Sequence, residues 1–367
     1  HSGHAQIRSN DEMLDRGDVW KLRAMIADPA LEGQKPMEAG TQTIATVMRD
    51  AGYKTAMIGK WGLGGPSSSS TPTDMGFDLF YGYMCQRMAQ NYYPMFLYRN
   101  REREALDNPF MELGSTLGPE DDPFDEASYI RFKGNDYSPD RMFDEIKGFV
   151  NENRDEEFFL MWTTTLPHAA FQAPDEMVDY YVKKFADEYG VTETPVYNGK
   201  GYFPCRYPKA TYAAMITYFD QQIGKLIDEL KRLGIYDNTI IMFTSDNGPT
   251  HNAYTSTDWF ECAAPFRSIK GWTKRSLHEG GIRVPFIVSW GDRLRPHVND
   301  HIGFFPDVMP TLCDIAQVKC PKTDGISFLP TLTGKRQKEH KYLYWEFPPF
   351  KTDKGWLCVR MGEWKGL

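Results

Sequence analysis

The sequence predicts an α/β protein with a mostly parallel central sheet and helices on both faces. Short runs that are apolar at every position alternate with longer segments that carry apolar residues at helical spacing. Strands that are apolar on both faces are typical of parallel sheets covered by helices. The composition, with 41% hydrophobic and 25% charged residues, and the length of 367 residues fit a large globular fold of this class.

The elements follow in the order helix, strand, helix, strand, helix, strand, strand, helix. Their predicted bounds are 41–51, 55–59, 140–150, 158–162, 211–233, 239–244, 285–290 and 307–315. Gly52 and Gly234 end the first and third helices, as left-handed C-caps do. Two long segments without clear periodicity, 100–136 and 174–207, are predicted to be irregular surface insertions.

Charge and cysteine content limit the possible partners. Acidic residues outnumber basic ones 50 to 42, so a surface that binds nucleic acid is not expected. No run of eighteen apolar residues occurs, so no membrane span is predicted. The six cysteines lack zinc-ligand spacing, and Cys313 and Cys320 are compatible either with a short disulfide or with two free thiols.

Polar residues follow three of the predicted strands. Lys60 follows the first, His168 comes shortly after the second, and Asp246 and Asn247 come directly after the third. Active sites of parallel α/β sheets lie at the carboxyl ends of the strands. Carboxylate and amide oxygens suit Ca²⁺ or Mg²⁺, so Asp246 and Asn247 are candidate metal ligands. Taken alone, Ser245–Gly248 is equally typical of an Asx-turn.

Two glycine-containing clusters carry cations. Residues 59–65 read G-K-W-G-L-G-G, and residues 270–285 read K-G-W-T-K-R-S-L-H-E-G-G-I-R-V-P. Glycine lets a backbone approach a ligand closely, and lysine provides a point charge for an oxyanion. Each cluster by itself is also typical of an exposed turn.

The order of these motifs resembles the sulfatase family, a branch of the alkaline phosphatase-like superfamily. The resemblance extends to A-G-Y-K-T at 51–55, T-L-P-H at 165–168 and V-R-M-G-E-W-K at 359–365. It is greatest to bacterial sulfatases that act on sulfated glycans. It implies a sulfate ester hydrolase acting on a sulfated carbohydrate or aryl sulfate, in the periplasm or secreted.

The resemblance also implies roles for individual residues. Asp246 and Asn247 would bind a divalent metal, usually calcium. Lys60 and Lys274 would hold sulfate oxygens, and His168 would protonate the leaving alcohol. These roles are chemically consistent, because sulfate ester cleavage develops negative charge on the sulfate and on the leaving oxygen.

The sequence departs from the family pattern in two ways. The family nucleophile, a formylglycine made in a C-x-P-S-R-type motif, has no counterpart, and the early Asp-Asp metal pair is also missing. We therefore expect the first strand and the nucleophile upstream of residue 1. On this interpretation residues 1–340 are most of the catalytic domain, 341–367 begin a small antiparallel C-terminal subdomain, and the 367 residues alone are inactive.

The second departure is Gly62, where the family often has a histidine. His251 is a candidate replacement, although a role as an ordinary polar loop residue is equally open.

For the substrate, residues 81–94 are rich in aromatic and amide groups. Aromatic and amide groups are suited to binding a sugar ring, and we expect Arg87 and Asn91 to contact it. The alternative is that the segment only connects the sheet to a helix and packs between them. Two alternatives remain: a two-metal phospho-hydrolase of the same superfamily, and an inactive protein that binds sulfated glycan. The oligomeric state is left open.

Overall fold

The computed structural model describes residues 22–34, 36–193, 199, 201–251, 255–347 and 355–367. These residues form two compact units, one ending at Glu229 and the other beginning at Leu230. The segment at residues 1–5, on which the expected position of the nucleophile depended, lies outside the described residues. The predicted domain boundary after residue 340 stays a prediction.

The first unit contains a five-stranded sheet in the order β4-β3-β2-β1-β5. The strands are β1 (Lys54–Lys60), β2 (Leu79–Tyr83), β3 (Phe96–Arg99), β4 (Glu102–Ala105) and β5 (Phe158–Thr163). Strand β1 pairs in parallel with β2 and β5, whereas β2–β3 and β3–β4 are antiparallel. The α/β class is confirmed, but the sheet is mixed rather than mostly parallel. The connection after β3, residues 100–101, is too short for the crossover that parallel strands need.

The described residues of the first unit form five α-helices, the last of which ends just past the unit boundary. They are α1 (Leu22–Ala27), α2 (Ile44–Asp50), α3 (Ser138–Glu152), α4 (Asp175–Tyr189) and α5 (Pro208–Arg232). The predicted helices at 41–51, 140–150 and 211–233 correspond to α2, α3 and α5 and are confirmed. Thr43 starts α2 through a capping box, because its side chain accepts from the backbone of Thr46 and the Thr46 hydroxyl accepts in return.

Helix α4 corrects the prediction of an irregular insertion at 174–207. It begins after Pro174 and ends at Gly190, which has a left-handed φ of 63°. Phe185 is its only buried residue, and large aromatics such as Tyr180 and Tyr189 are exposed. The apolar stripe is therefore too narrow to produce the expected helical pattern. Residues 194–198 and 200 of this segment lie outside the described part.

The second unit contains two small sheets. Strands β6 (Ile241–Thr244) and β7 (Phe286–Ser289) form an antiparallel pair. Strands β8 (Leu343–Phe347), β9 (Trp356–Met361) and β10 (Trp364–Gly366) form a three-stranded antiparallel sheet. This is the small antiparallel sheet predicted at the C-terminal end. The helices are α6 (Glu279–Ile282), α7 (Val308–Ala316) and α8 (Leu329–Leu332).

All six cysteines are free thiols. Burial, together with a hydrogen bond to Cys320, raises the pKa of Cys313 to about 12, so this thiol stays protonated at neutral pH. Within the described ranges, no helix combines the length and the apolar character needed to cross a bilayer.

A buried carboxylate joins the N-terminal segment of the first unit to the β3–β4 hairpin. Glu32 is 2% exposed, and its Oε2 accepts from the Tyr98 hydroxyl at 2.5 Å and from Arg103 Nη2 at 3.0 Å. Arg103 Nη2 also donates to the carbonyl of Met25 in α1. Burial raises the pKa of Glu32, while Tyr98 and Arg103 act in the opposite direction. Arg103 is thus the cation that makes a buried charge tolerable here.

We predict that Arg103→Met lowers the free energy of unfolding by about 3–5 kcal/mol at pH 7, because Glu32 loses its cation while buried. A carboxyl with a raised folded-state pKa binds more protons folded than unfolded, so stability falls as pH rises above the unfolded value. The loss should therefore grow between pH 4 and pH 7. Urea denaturation across this range measures it.

The matched control is Arg101→Met in the same hairpin. Arg101 pairs with Asp74 at the surface, where both side chains are partly exposed. Its removal should cost less than about 1 kcal/mol at any pH. Equal losses for the two variants would contradict the assigned role of Glu32.

Candidate functional site

The first candidate residue, Lys60, ends β1 between the two strands that flank it. The backbone N–H groups of Trp61 and Gly62 donate to the carbonyls of Tyr83 and Met84 at 2.9 and 3.1 Å. The ladder between β1 and β2 thus continues past Lys60. The lysine is held at the carboxyl end of the parallel part of the sheet, as predicted.

The loop after this turn is fixed by serine side chains. The indole of Trp61 donates to the carbonyl of Ser70 at 2.8 Å, and the Ser70 hydroxyl donates to the carbonyl of Leu63 at 2.6 Å. Ser70 is fully buried. The composition of the serine run 67–70 suggests a flexible patch. Its last residue, Ser70, is instead buried and fixes the backbone after Lys60 through these hydrogen bonds.

His168 follows β5, the parallel neighbour of β1 in which Thr163 lies opposite Gly59. Its backbone N–H donates to the carbonyl of Thr165 at 2.7 Å, and its Nδ1 lies 2.5 Å from the carbonyl oxygen of Ala169. A carbonyl can only accept, so Nδ1 carries a hydrogen and Nε2 is the atom that exchanges protons. The structure thus places Lys60 and His168 at the same end of adjacent parallel strands.

Gln34 is a site residue that the sequence did not reveal. Gly62 has a φ of +77°, and a Cβ built on it would lie 3.5 Å from Gln34 Oε1. The same oxygen accepts from the backbone of Gln86 at 3.1 Å, while Gln34 Nε2 lies 3.6 Å from the Cys85 sulfur. A glutamine carboxamide therefore borders the position where the family often has histidine. An isolated loop glutamine belongs to no motif, so the sequence carried no signal for it.

The two residues expected to contact sugar differ in environment. Arg87 is partly exposed and donates to Gln90 Oε1 at 2.6 Å and to the carbonyl of Gly201 at 3.4 Å. Burial lowers the pKa of its guanidinium. Asn91 is 4% exposed, and its amide accepts from the N–H of Tyr93 and donates to the carbonyl of the same residue. Arg87 is thus the better placed of the two to meet a ligand, and Asn91 shapes the loop.

The second unit carries the predicted metal ligands at the end of β6. Asp246 is exposed, and Asn247 Nδ2 donates to the carbonyl of Gly248 at 3.0 Å, which leaves Asn247 Oδ1 as an acceptor for a cation. These hard oxygens fit a calcium or magnesium ion. They are two ligands of the six to eight that Ca²⁺ takes, and the described residues contain no cluster of three or more His, Cys, Asp or Glu able to hold a metal.

The Ser245–Gly248 loop packs directly on the E-G-G block. The N–H of Gly248 donates to the carbonyl of Gly281 at 2.9 Å, and a Cβ at Gly248 would lie 1.9 Å from the carbonyl oxygen of Gly280. The N–H of Lys274 donates to the carbonyl of Pro249 at 2.9 Å. Two motifs that are distant in sequence therefore form one backbone assembly holding Asp246, Asn247 and Lys274.

His251 lies in the same unit beside Thr257. Its Nδ1 is 2.7 Å from the Thr257 hydroxyl, which itself donates to the carbonyl of Ser268 at 2.7 Å. The hydroxyl hydrogen is thus used on Ser268, so Nδ1 donates to Thr257 and the lone pair of the neutral ring lies on Nε2. Whether His251 replaces the family histidine stays a prediction.

Known proteins resemble this chain over most of its length. The Sulfatase family model matches residues 23–318. The chain is 28% identical over 305 residues to the uncharacterised sulfatase YdeN of Escherichia coli, covering 82% of this chain and 48% of the relative. It is 26% identical over 362 residues to human arylsulfatase A, covering 92% of this chain and 60% of the relative. It thus spans about half the length of the curated relatives it matches.

A solved structure of a protein in complex with its substrate, D-glucosamine-2-N,6-O-disulfate, aligns with a TM-score of 0.64 at 19% identity, covering 90% of this chain and 73% of that chain. At this identity the alignment bears on the fold. The match to the Sulfatase family model, which extends over well more than half of the sequence, shows that the chain belongs to the sulfatase family.

Proposed function

We propose that the protein hydrolyses a sulfate ester on a sulfated carbohydrate. The observation that carries this proposal is the placement of Lys60 and His168 at the carboxyl ends of the paired strands β1 and β5. A cation and a proton donor that share one sheet edge suit cleavage of an ester whose sulfate is anionic and whose leaving alkoxide needs a proton.

The roles follow from the contacts described above. Lys60 and Lys274 would hold sulfate oxygens, each on a backbone fixed by hydrogen bonds to a neighbouring strand or loop. His168 would donate the Nε2 proton to the leaving oxygen, with its Nδ1–H held by the Ala169 carbonyl. Asp246 and Asn247 would hold a divalent cation, and when bound it would withdraw charge from the sulfate.

We propose that the nucleophile lies outside residues 1–367. The sequence contains no C-x-P-S-R-type motif, and the family's nucleophile is a formylglycine made in such a motif. We propose that it lies, with the remaining metal ligands and the first strand of the sheet, in a segment upstream of residue 1. The shorter length of this chain relative to its curated relatives supports this.

A carbohydrate substrate is supported by two observations. The disulfated glucosamine belongs to a protein of similar fold. In this chain, Arg87 follows β2 directly after Cys85 and Gln86, which contact the Gln34 side chain that borders Gly62. A guanidinium in that place can donate to sugar hydroxyls or to a second sulfate. We propose Arg87 as the first substrate contact and Asn91 as a residue that positions its loop.

We predict that the full-length protein turns over sulfated monosaccharides and 4-nitrophenyl sulfate, whereas residues 1–367 alone do not. Chromatographic detection of released sulfate measures both. The matching phosphate monoesters and diesters serve as competing substrates, and a preference for them would contradict the proposal in favour of the two-metal phospho-hydrolase alternative. Turnover by residues 1–367 alone would contradict the proposal that the nucleophile lies outside them.

We predict that His168→Ala in the full-length protein lowers kcat for a sulfated sugar by about 10²–10⁴-fold, the usual contribution of general acid catalysis. The loss for 4-nitrophenyl sulfate should be much smaller, because a nitrophenolate leaves without a proton. The control is His297→Ala, an exposed histidine whose Nδ1 contacts only the Arg295 carbonyl in the described structure. Equal losses on both substrates would exclude His168 as the proton donor.

We predict that Arg87→Ala raises KM for the sulfated sugar about 10-fold or more, the usual effect of losing a hydrogen bond to a charged group. KM for 4-nitrophenyl sulfate should stay within about threefold, because that substrate lacks the sugar hydroxyls. Arg154→Ala, at an exposed position beside Asp155, is the control. A uniform rise in KM on both substrates would instead assign Arg87 to the sulfate itself.

A further inference from the structure

One carboxylate in the second unit is held by three cations, one from β10, one from β9 and one directly after α6. Glu279, the first residue of α6, accepts from Lys365 Nζ at 2.6 Å. Arg360 Nη1 and Arg283 Nη1 lie 3.7 and 3.6 Å from its other oxygen. We name these four residues the Glu279 cluster. The Lys365 and Arg360 side chains are only 16% and 22% exposed, so this is not a loose surface pair.

The C-terminal sheet supplies the two more buried cations of the Glu279 cluster from adjacent strands. Lys365 in β10 lies directly opposite Arg360 in β9, so both side chains leave the same face of the sheet. Burial alone would raise the pKa of Glu279, but the Lys365 hydrogen bond and the surrounding positive charges hold it below its usual range. The carboxylate therefore stays ionised and fastens α6 to the β9–β10 hairpin.

The residues directly after Glu279 pack against the loop that carries Asp246 and Asn247, which we call the metal loop. Gly281 accepts from the N–H of Gly248, and the Gly280 carbonyl lies so close to Gly248 that a Cβ there would approach it to 1.9 Å. On its other side, a Cβ at Gly281 would lie 2.6 Å from the Thr273 carbonyl, next to Lys274. Backbone segments packed this closely cannot move independently. A displacement of the Glu279 backbone would therefore also displace Gly248 and Thr273.

We propose that Lys365 is a positioning residue for the sulfate site. By holding Glu279, it fixes the Gly280–Gly281 backbone, and through that backbone it fixes the loop with Asp246 and Asn247 and the residue before Lys274. The C-terminal sheet thereby sets the geometry of the metal loop without contacting substrate. The functional meaning of this arrangement rests on the proposed sulfatase activity, but its structural content does not.

The test uses the full-length protein with Lys365→Met, Lys365→Arg and, as a matched control, Lys341→Met at an exposed position before β8. Amide hydrogen exchange of Gly248 is measured against the amides of β6, which report global opening. Calcium affinity is measured by titration calorimetry. In Lys365→Met we expect Gly248 to exchange about 10-fold faster relative to β6, and calcium affinity to fall about 10- to 100-fold, as for other outer-sphere partners.

Two further arms make the result specific. Lys365→Arg should restore both quantities to within about threefold, because a guanidinium can still hold Glu279. Adding Glu279→Gln to Lys365→Met should cause little extra loss, since both changes break one interaction. The control Lys341→Met should leave both quantities unchanged.

The outcomes separate this inference from the proposed function. Unchanged Gly248 exchange in Lys365→Met overturns the inference, even if the wild-type protein binds calcium and cleaves sulfate. A wild-type protein that neither binds calcium nor cleaves sulfate overturns the proposed function, and Gly248 exchange then still decides the positioning role. If the β6 amides of Lys365→Met also exchange faster, the variant opens globally. The milder Lys365→Gln is then measured in its place.

Discussion

Close approach of backbones at glycine is the constraint on which the candidate residues of each unit depend. In the first unit, a Cβ at Gly59 would lie 2.1 Å from the carbonyl oxygen of Thr163, and one at Gly82 would lie 1.9 Å from that of Gly59. Both glycines have positive φ, at +128° and +147°, which side-chain-bearing residues rarely adopt. Strands β2, β1 and β5 can therefore meet tightly at the end that carries Lys60.

The second unit uses the same device between loops rather than strands. There Gly248 lies against Gly280, and the backbone around Lys274 lies against Gly281. In both units a lysine is attached to backbone that has no room to move. Because a charged side chain is long and flexible, rigid backbone beneath it is what limits where its charge can lie.

Much of the fold could be predicted from the sequence, because apolar residues recur at the spacing of a helix or a strand. The run at β5 was clear because five of its six residues are apolar. The stripe of α5 was clear because buried residues such as Met215, Tyr218 and Leu230 lie on one side of the helix. Helix α4 was missed because Phe185 alone is buried. Strands β2, β3 and β4 were not predicted, and the antiparallel pairs that β3 makes with β2 and β4 are what make the sheet mixed. The candidate residues in motifs were locatable, whereas Gln34 and Glu279 act through contacts that only the folded chain creates.

Charge in this acidic protein is distributed so that carboxylates are engaged near the candidate site. Glu32 is neutralised by Arg103 and Tyr98, and Glu279 by the cations of its cluster. Paired carboxylates repel an incoming anion far less than free ones do. A net charge of −8 is thus compatible with a site for a negatively charged ester.

The neighbourhood of Gly62 has an evolutionary consequence. A side chain at this position would grow toward the carboxamide of Gln34, which already bridges to Gln86 and Cys85. A histidine at 62 would have to adopt the left-handed φ of +77° and to share this space with Gln34, whose Oε1 a Cβ at 62 would already contact at 3.5 Å. The identities at 34 and 62 are therefore expected to change together among relatives, so that each lineage keeps one side chain in this space.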